Sequence, residues 1–362
     1  MSNIRKQFYA VDLLLHIIKR KNIGILIYLV LNVGILATIP YLFCKLDPNS
    51  FIYTPKLSLL FVGLYFIISF FLLSPIGESF VCWYGGYKKF KKKNIYHQDI
   101  KKTFEPLLNQ AISKSQREFP DVIINNKIKL RLLEDIEPTM FAVGRNTICI
   151  TTGLYSYYNK CRNDNYENRD EIVKSLFYHT FYRISSHDTD ILTLVAVGNF
   201  LVTIIAAILK FVIDVIDGVL QSSTYSYEEE KRILYHYKEM YGRDEYYEIY
   251  EKDRRGIICT LLLGLITLIM FIWTKIGILL SLGSRKKTEL EADMFACKLS
   301  SYYPLLNYLY FIKKHEDILE KKDWLDKMDI CSIIETNEVK AQIRIDNIEN
   351  KFDNQIKNAL YG

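Results

Sequence analysis

The residues best placed to do chemistry are His179 and Arg183, in the stretch LFYHTFYRISSHDTD at 176–190. Leu176, Phe177, Phe181 and Ile184 recur there at helical spacing. Residues four apart share a helix face, so His179 and Arg183 point the same way. Two histidines at that spacing, with a glutamate directly after the first, make the H-E-x-x-H helix that binds zinc and activates water. Here the first histidine is present, Thr180 holds the glutamate's place and Arg183 holds the second histidine's. A threonine hydroxyl is no base near neutral pH, and a guanidinium has no lone pair to give a metal. Taken alone, the stretch is one histidine on an amphipathic helix.

His187 is a candidate substitute ligand. It lies about 80° around a regular helix from His179, so a helix-end histidine beside Asp188 is the plainer reading. His16, His97, His236 and His315 carry no partner pattern and read as surface or interface residues.

The elements that position these residues follow from composition. Half of the 362 residues are apolar and 24% are charged, and the two kinds are segregated along the chain. That segregation predicts a membrane protein with a polar domain. The net charge of +6 is modest, and the basic residues cluster beside apolar runs, as in the KKFKKK of 88–93. This pattern suits membrane orientation and excludes nucleic acid as a partner. Seven scattered cysteines without a C-x-x-C pair read as reduced thiols in a cytosol-facing protein.

Four uncharged or nearly uncharged runs are long enough to span a bilayer: Asn22–Cys44, Leu57–Gly77, Ile191–Leu209 and Gly256–Gly283. Lys275 and Asp214 lie near span ends, where interface residues are expected rather than a transport path. The expected organisation is a cytoplasmic segment 1–21, a two-span hairpin 22–77, and the first part of a cytoplasmic domain at 78–190. A second transmembrane pair follows at 191–283, with a polar loop at 210–255, and the second part of the domain at 284–362. The protein is expected in the inner or plasma membrane with both termini on the cytoplasmic side.

Within the polar domain, 98–125 reads as an amphipathic helix and IKLRLLED at 128–135 as a strand. Gly144-Arg145-Asn146 reads as a turn before the β-branched strand ICITTG. Asn168-Arg169-Asp170-Glu171 reads as the start of the helix that carries His179.

Five pieces of the chain, in order between about 74 and 350, resemble the HtpX-type membrane zinc metallopeptidases, relatives of the CAAX prenyl protease. SPIGE at 74–78 is similar to the end of the family's second span. FAVGRNTICITTGLY at 141–155 is similar to its F-x-x-G-R-x-x-I-x-x-T-x-G-L segment. HTFYRISSHDT at 179–189 resembles H-E-L-G-H-I-x-x-x-D-T, and SRKKTELEADMFA at 284–296 resembles S-R-x-R-E-x-x-A-D-x-x-A. Arg344-Ile345 matches an R-I pair near the family's C-terminus, without the His-Pro usually upstream.

The resemblance implies a multi-pass α-helical membrane protein with a cytoplasmic α+β zincin-like metallopeptidase domain, mostly helical with a small sheet. It puts Glu289 on the third zinc ligand and Asp293 on the neighbouring Asp, with Asp188 and Asp293 both supporting the site from behind. It also makes Thr147, Ile148, Cys149, Ile150, Thr151 and Thr152 an edge strand able to pair with an extended peptide.

The departures fall on the chemistry. Only His179 and Glu289 of the ligand set remain, and two protein ligands make a poor zinc site. The expectation is a catalytically inactive pseudoprotease, a binding or regulatory module without cofactor. Arg183 would pair with Glu289 where the metal would lie. Its expected partners are the lipid bilayer, a membrane-protein or peptide client, and an active relative or a second copy. The alternative is a divergent zinc endopeptidase that keeps metal on His179 and Glu289.

Overall fold

The computed structural model describes residues 9–44, 54–120, 128–163, 168–198, 284–315 and 339–361, with isolated positions between 215 and 280. The chain divides into two compact units, 1–198 with 278–362 and, separately, 199–277. The two segments 78–190 and 284–362 thus fall in one unit. All that follows concerns that unit, which is mostly helical with one small sheet.

Helix α1 (Tyr9–Ile18) leads through a short 3₁₀ turn, Arg20–Asn22, into α2 (Ile23–Cys44). α3 (Thr54–Leu72) returns against α2, with the Ser58 hydroxyl donating to the Ala37 carbonyl at 2.7 Å. By length and composition, Arg20–Thr38 and Thr54–Leu72 are each apolar enough to cross a membrane. Only 28% and 22% of their apolar windows are buried, so neither is a core helix of the domain. Leu59, Ile67 and Phe70 are among the side chains they expose. Of the two later apolar runs, the third enters the described residues only at 191–198 and the fourth only at scattered positions, so both spans lie largely outside them.

α3 stops short of the apolar run's end because Ser74-Pro75 starts a new helix, α4 (Pro75–Tyr84). The Ser74 side chain accepts from Gly77 N, and proline fits the first helical position. α5 (Ile95–Glu118) begins earlier than the periodicity suggests because Asn94 caps it, accepting from His97 N. It ends earlier too: Pro120 disfavours a helical Phe119.

The sheet has the order β1–β3–β2, from β1 (Lys129–Leu133), β2 (Met140–Val143) and β3 (Thr147–Thr151). β1 runs parallel to β3 with Lys129 opposite Thr147, and β2 runs antiparallel with Val143 opposite Thr147. This overturns the edge-strand expectation for Thr147, Ile148, Cys149, Ile150 and Thr151. They form the central strand, all buried, with a neighbour on each side. Thr152 is not in the strand; it opens α6 (Thr152–Asn163).

The physical reason lies in composition. An uncharged β-branched run is driven to the middle of a sheet, while KLRLL, with two cations, tolerates the rim. Even there, Lys88 closes part of the outer edge through two backbone bonds to Leu132, of 2.8 and 2.9 Å.

α7 (Arg169–Ser185) packs against β2 and α5, and also against α10 (Tyr302–His315). Phe177 and Phe181 stack in this core with Ile100, Phe104, Ile148 and Ile150 around them. Residues 188–198 form α8, residues 284–299 form α9, and α11 is Ala341–Tyr361.

Candidate functional site

α7 has Asn168 at its N-cap and Asp170 and Glu171 in its first turn, where the helix dipole favours acids. Its buried face carries His179 and Arg183, one turn apart. α9 presents Glu289 and Asp293, also one turn apart, and α11 adds Arg344. These five, with Asp188 just past the end of α7, form one buried ion network. None of the six side chains' residues is more than 7% exposed.

The contacts are specific. His179 Nε2 lies 2.9 Å from Glu289 Oε2 and 3.5 Å from Asp293 Oδ1. Arg183 Nη1 lies 3.1 Å from the other oxygen of Glu289. The same guanidinium donates through Nε and Nη2 to Asp188 Oδ2, each at 2.8 Å. Arg344 holds Asp293 in a two-pronged grip, Nε to Oδ2 at 2.8 Å and Nη2 to Oδ1. Its Nη1 is 3.9 Å from Glu289 Oε2.

Two guanidiniums and a histidine therefore face three carboxylates. Burial alone would raise the Glu289 carboxyl. The charges of Arg183, His179 and Arg344 outweigh it and hold the group well below the usual carboxylate range. Burial would likewise lower Arg183, but Glu289 and Asp188 keep its pKa above the ordinary arginine value.

The structure thus brings together His179, Arg183, Glu289, Asp188 and Asp293 and adds Arg344. The sequence carried Arg344 only as half of an R-I pair. Asp293 was expected to stand behind a ligand; instead it shares the network directly. Thr180 is buried but turned away: its hydroxyl donates to the Leu176 carbonyl of its own helix at 2.8 Å. Glu291 points outward, to Lys21 at 2.7 Å and the Tyr182 hydroxyl at 2.8 Å.

These residues do not fit a zinc ion of the H-E-x-x-H kind. Glu289 can only accept, so Nε2 of His179 carries a proton in this pairing. The guanidinium of Arg183 sits against the remaining carboxylate oxygen and repels a dication. No water-activating carboxylate follows His179. The arrangement binds charge to charge and lacks an open coordination position.

The turn ahead of β3 is latched from α4. Glu78 accepts from the Thr147 hydroxyl and from Asn146 Nδ2, and Gly144 adopts φ +61° against it. A Cβ at Gly144 would lie 3.0 Å from the Glu78 side chain, so this turn requires glycine.

His187 does not join His179. The helix ends at Ser185, and His187 takes φ +57°. The regular 80° offset does not apply across that break. Its Nδ1 lies 3.1 Å from Asp190 Oδ2 and its Nε2 2.8 Å from Asp12 Oδ2. His16 is beside it, with ring centroids 4.9 Å apart. His16 is therefore no isolated surface residue. Among the described residues, Asp12, His16 and His187 form one group able to hold a metal ion. The D-x-x-x-H spacing of Asp12 and His16 on one helix face was the signal available in the sequence. Burial pulls His16 below its ordinary pKa. His187 is raised: burial works against its charge, and hydrogen bonds to Asp190 and Asp12 override that.

Comparison of the chain with family models, with curated proteins and with solved structures finds no match.

Proposed function

We propose that this protein is a catalytically inactive, membrane-anchored relative of the HtpX-type metallopeptidases, acting as a binding or regulatory module for a membrane-protein or peptide client. One observation carries the reading: the Arg183 guanidinium lies 3.1 Å from Glu289, in the place of the motif's second histidine. The charge of a metal is replaced by a fixed organic cation, and the carboxylate that would have bound zinc is neutralised. Meanwhile His179 and Glu289, 110 residues apart, still meet at 2.9 Å, as two ligands of one former centre would. In this reading the four-span topology places the network on the cytoplasmic side, and the paired apolar helices α2 and α3 hold it to the bilayer.

Client binding does not run through β3, whose two edges are taken. The proposed contact is with the apolar helices α2 and α3, which expose large apolar side chains, Leu59, Leu60, Ile67 and Phe70 among them.

The test is proteolysis of an unfolded membrane protein by the purified full-length chain in detergent, with and without added zinc. The expected result is no cleavage, and no zinc whose binding depends on His179. Cleavage that disappears in His179→Ala would overturn the proposal and establish the active alternative.

A further inference from the structure

A second group of metal-ligating side chains lies outside the Arg183 network, where α1 meets the end of α7. Asp12 and His16 sit one turn apart on α1, and His187 arrives from 175 residues away to place its Nε2 2.8 Å from Asp12 Oδ2. One donor atom from each of the three lies within 4.8 Å of the other two.

Both rings are held as ligating histidines are held. His16 Nδ1 is 2.8 Å from the Asp12 backbone carbonyl oxygen. His187 Nδ1 is 3.1 Å from the Asp190 carboxylate, which is itself 2% exposed. Carbonyl and carboxylate oxygens only accept, so each Nδ1 carries a proton and Nε2 is the atom left for a metal, on His187 once it gives up the proton it donates to Asp12. Asp190 is braced from behind by Arg145, whose Nε lies 4.0 Å from its Oδ1. His187 reaches this position through a left-handed backbone at φ +57°, a conformation a side chain bearing Cβ rarely adopts. Strain of that kind persists only where the surroundings hold it.

We propose that Asp12, His16 and His187 bind one divalent transition-metal ion, zinc by its chemistry, and so clasp α1 to the end of α7. Two imidazole nitrogens and one carboxylate oxygen suit a borderline ion. A single carboxylate without further oxygen ligands does not suit calcium or magnesium. Donors sharing a tetrahedral zinc ion at about 2.0–2.2 Å lie roughly 3.3–3.6 Å apart, so a separation of up to 4.8 Å must close by about an ångström on binding. Without metal, His187 Nε2–H donates to Asp12. On binding, that proton leaves to solvent, a nitrogen–metal bond takes its place, and His187 Nδ1–H still donates to Asp190. No electron changes hands. The site stands independently of whether the Arg183 network descends from a metallopeptidase centre.

The test uses full-length protein in detergent, stripped with a chelator and titrated with zinc chloride by calorimetry, and with cobalt chloride by visible absorption. Wild type is expected to bind one equivalent of zinc and to show the absorption of four-coordinate cobalt. His16→Gln, on the partly exposed face of α1, and Asp12→Asn lose the cobalt signal. Asp190→Asn weakens zinc binding by about 10–100-fold while keeping the stoichiometry. His179→Ala leaves both readouts unchanged. The proposal is overturned if wild type binds no stoichiometric zinc, or if His16→Gln and His187→Gln both bind as wild type. It is equally overturned if binding is lost in His179→Ala and kept in His16→Gln.

Discussion

Two groups of histidines and carboxylates stand at opposite ends of the same short stretch, and they are built to opposite effect. Around His179 the carboxylates of Glu289, Asp188 and Asp293 are answered by two guanidiniums, all almost fully buried. Around His187 the ring lies directly against the Asp12 and Asp190 carboxylates, and the Asp12 side chain is 25% exposed. Arginine has no lone pair and cannot be deprotonated, so it closes a site to cations permanently. Histidine trades its proton for a metal. The same ligand types, eight residues apart in the chain, thus give a closed electrostatic lock and an exchangeable cluster. Which cation stands among the carboxylates decides the chemistry.

The contrast is most easily broken at Glu289. Glu289→Ala strands Arg183 and unpairs His179 in a buried place, and the expected loss is about 3–5 kcal/mol. A denaturant titration in detergent reads it, and a variant as stable as wild type would remove the network from any structural role.

Acid supplies a second test at the same residue. The folded Glu289 carboxyl binds its proton more weakly than the ordinary value of 4.5 for an unfolded chain. Its stabilisation is therefore complete above that value and falls as pH drops below it toward the depressed folded value. Thermal midpoints should decline below pH 4.5 in wild type and decline less steeply in Glu289→Gln.

Smaller effects sharpen the other side. In metal-free protein, His16→Ala should cost about 1 kcal/mol, the loss of one partly exposed hydrogen bond to a carbonyl. A cost as large as that of Glu289→Ala would erase the distinction between the two groups. Thr180→Val, read by the same titration, should cost about 1 kcal/mol or less, because the hydroxyl bonds only to a carbonyl that the helix ladder already serves. Lys21→Ala removes a surface pair with Glu291, which is 46% exposed, and should change stability by less than about 1 kcal/mol.

Particular residues explain what was readable in advance. The turn at Gly144–Asn146 and the opening of α7 after Asn168 are local signals, and they lie where the residue types put them. α5 runs from Ile95 to Glu118 rather than over 98–125, with Asn94 and Pro120 marking its ends. The rank of β3 within its sheet is not legible in the sequence because strand order is not a local property. TICIT reads as a strand from its β-branched residues, but only the arrival of β1 on one side and β2 on the other makes it central. A regular helix would carry His187 about 80° around from His179, but the helix stops at Ser185.

By itself, the amino-acid sequence determined the apolar helices α2 and α3, the strand segments β1 and β3, the opening of α7, and the chemical limits of the site. Thr180 is no base and Arg183 no ligand in any fold, because those are properties of the side chains. Only the tertiary structure decided who meets whom. It set Glu289 between His179 and Arg183, gave Asp293 to Arg344, and brought Asp12 to His187 across 175 residues. Such pairings depend on the packing of α7 against helices distant in the chain, and side-chain type carries no record of that distance.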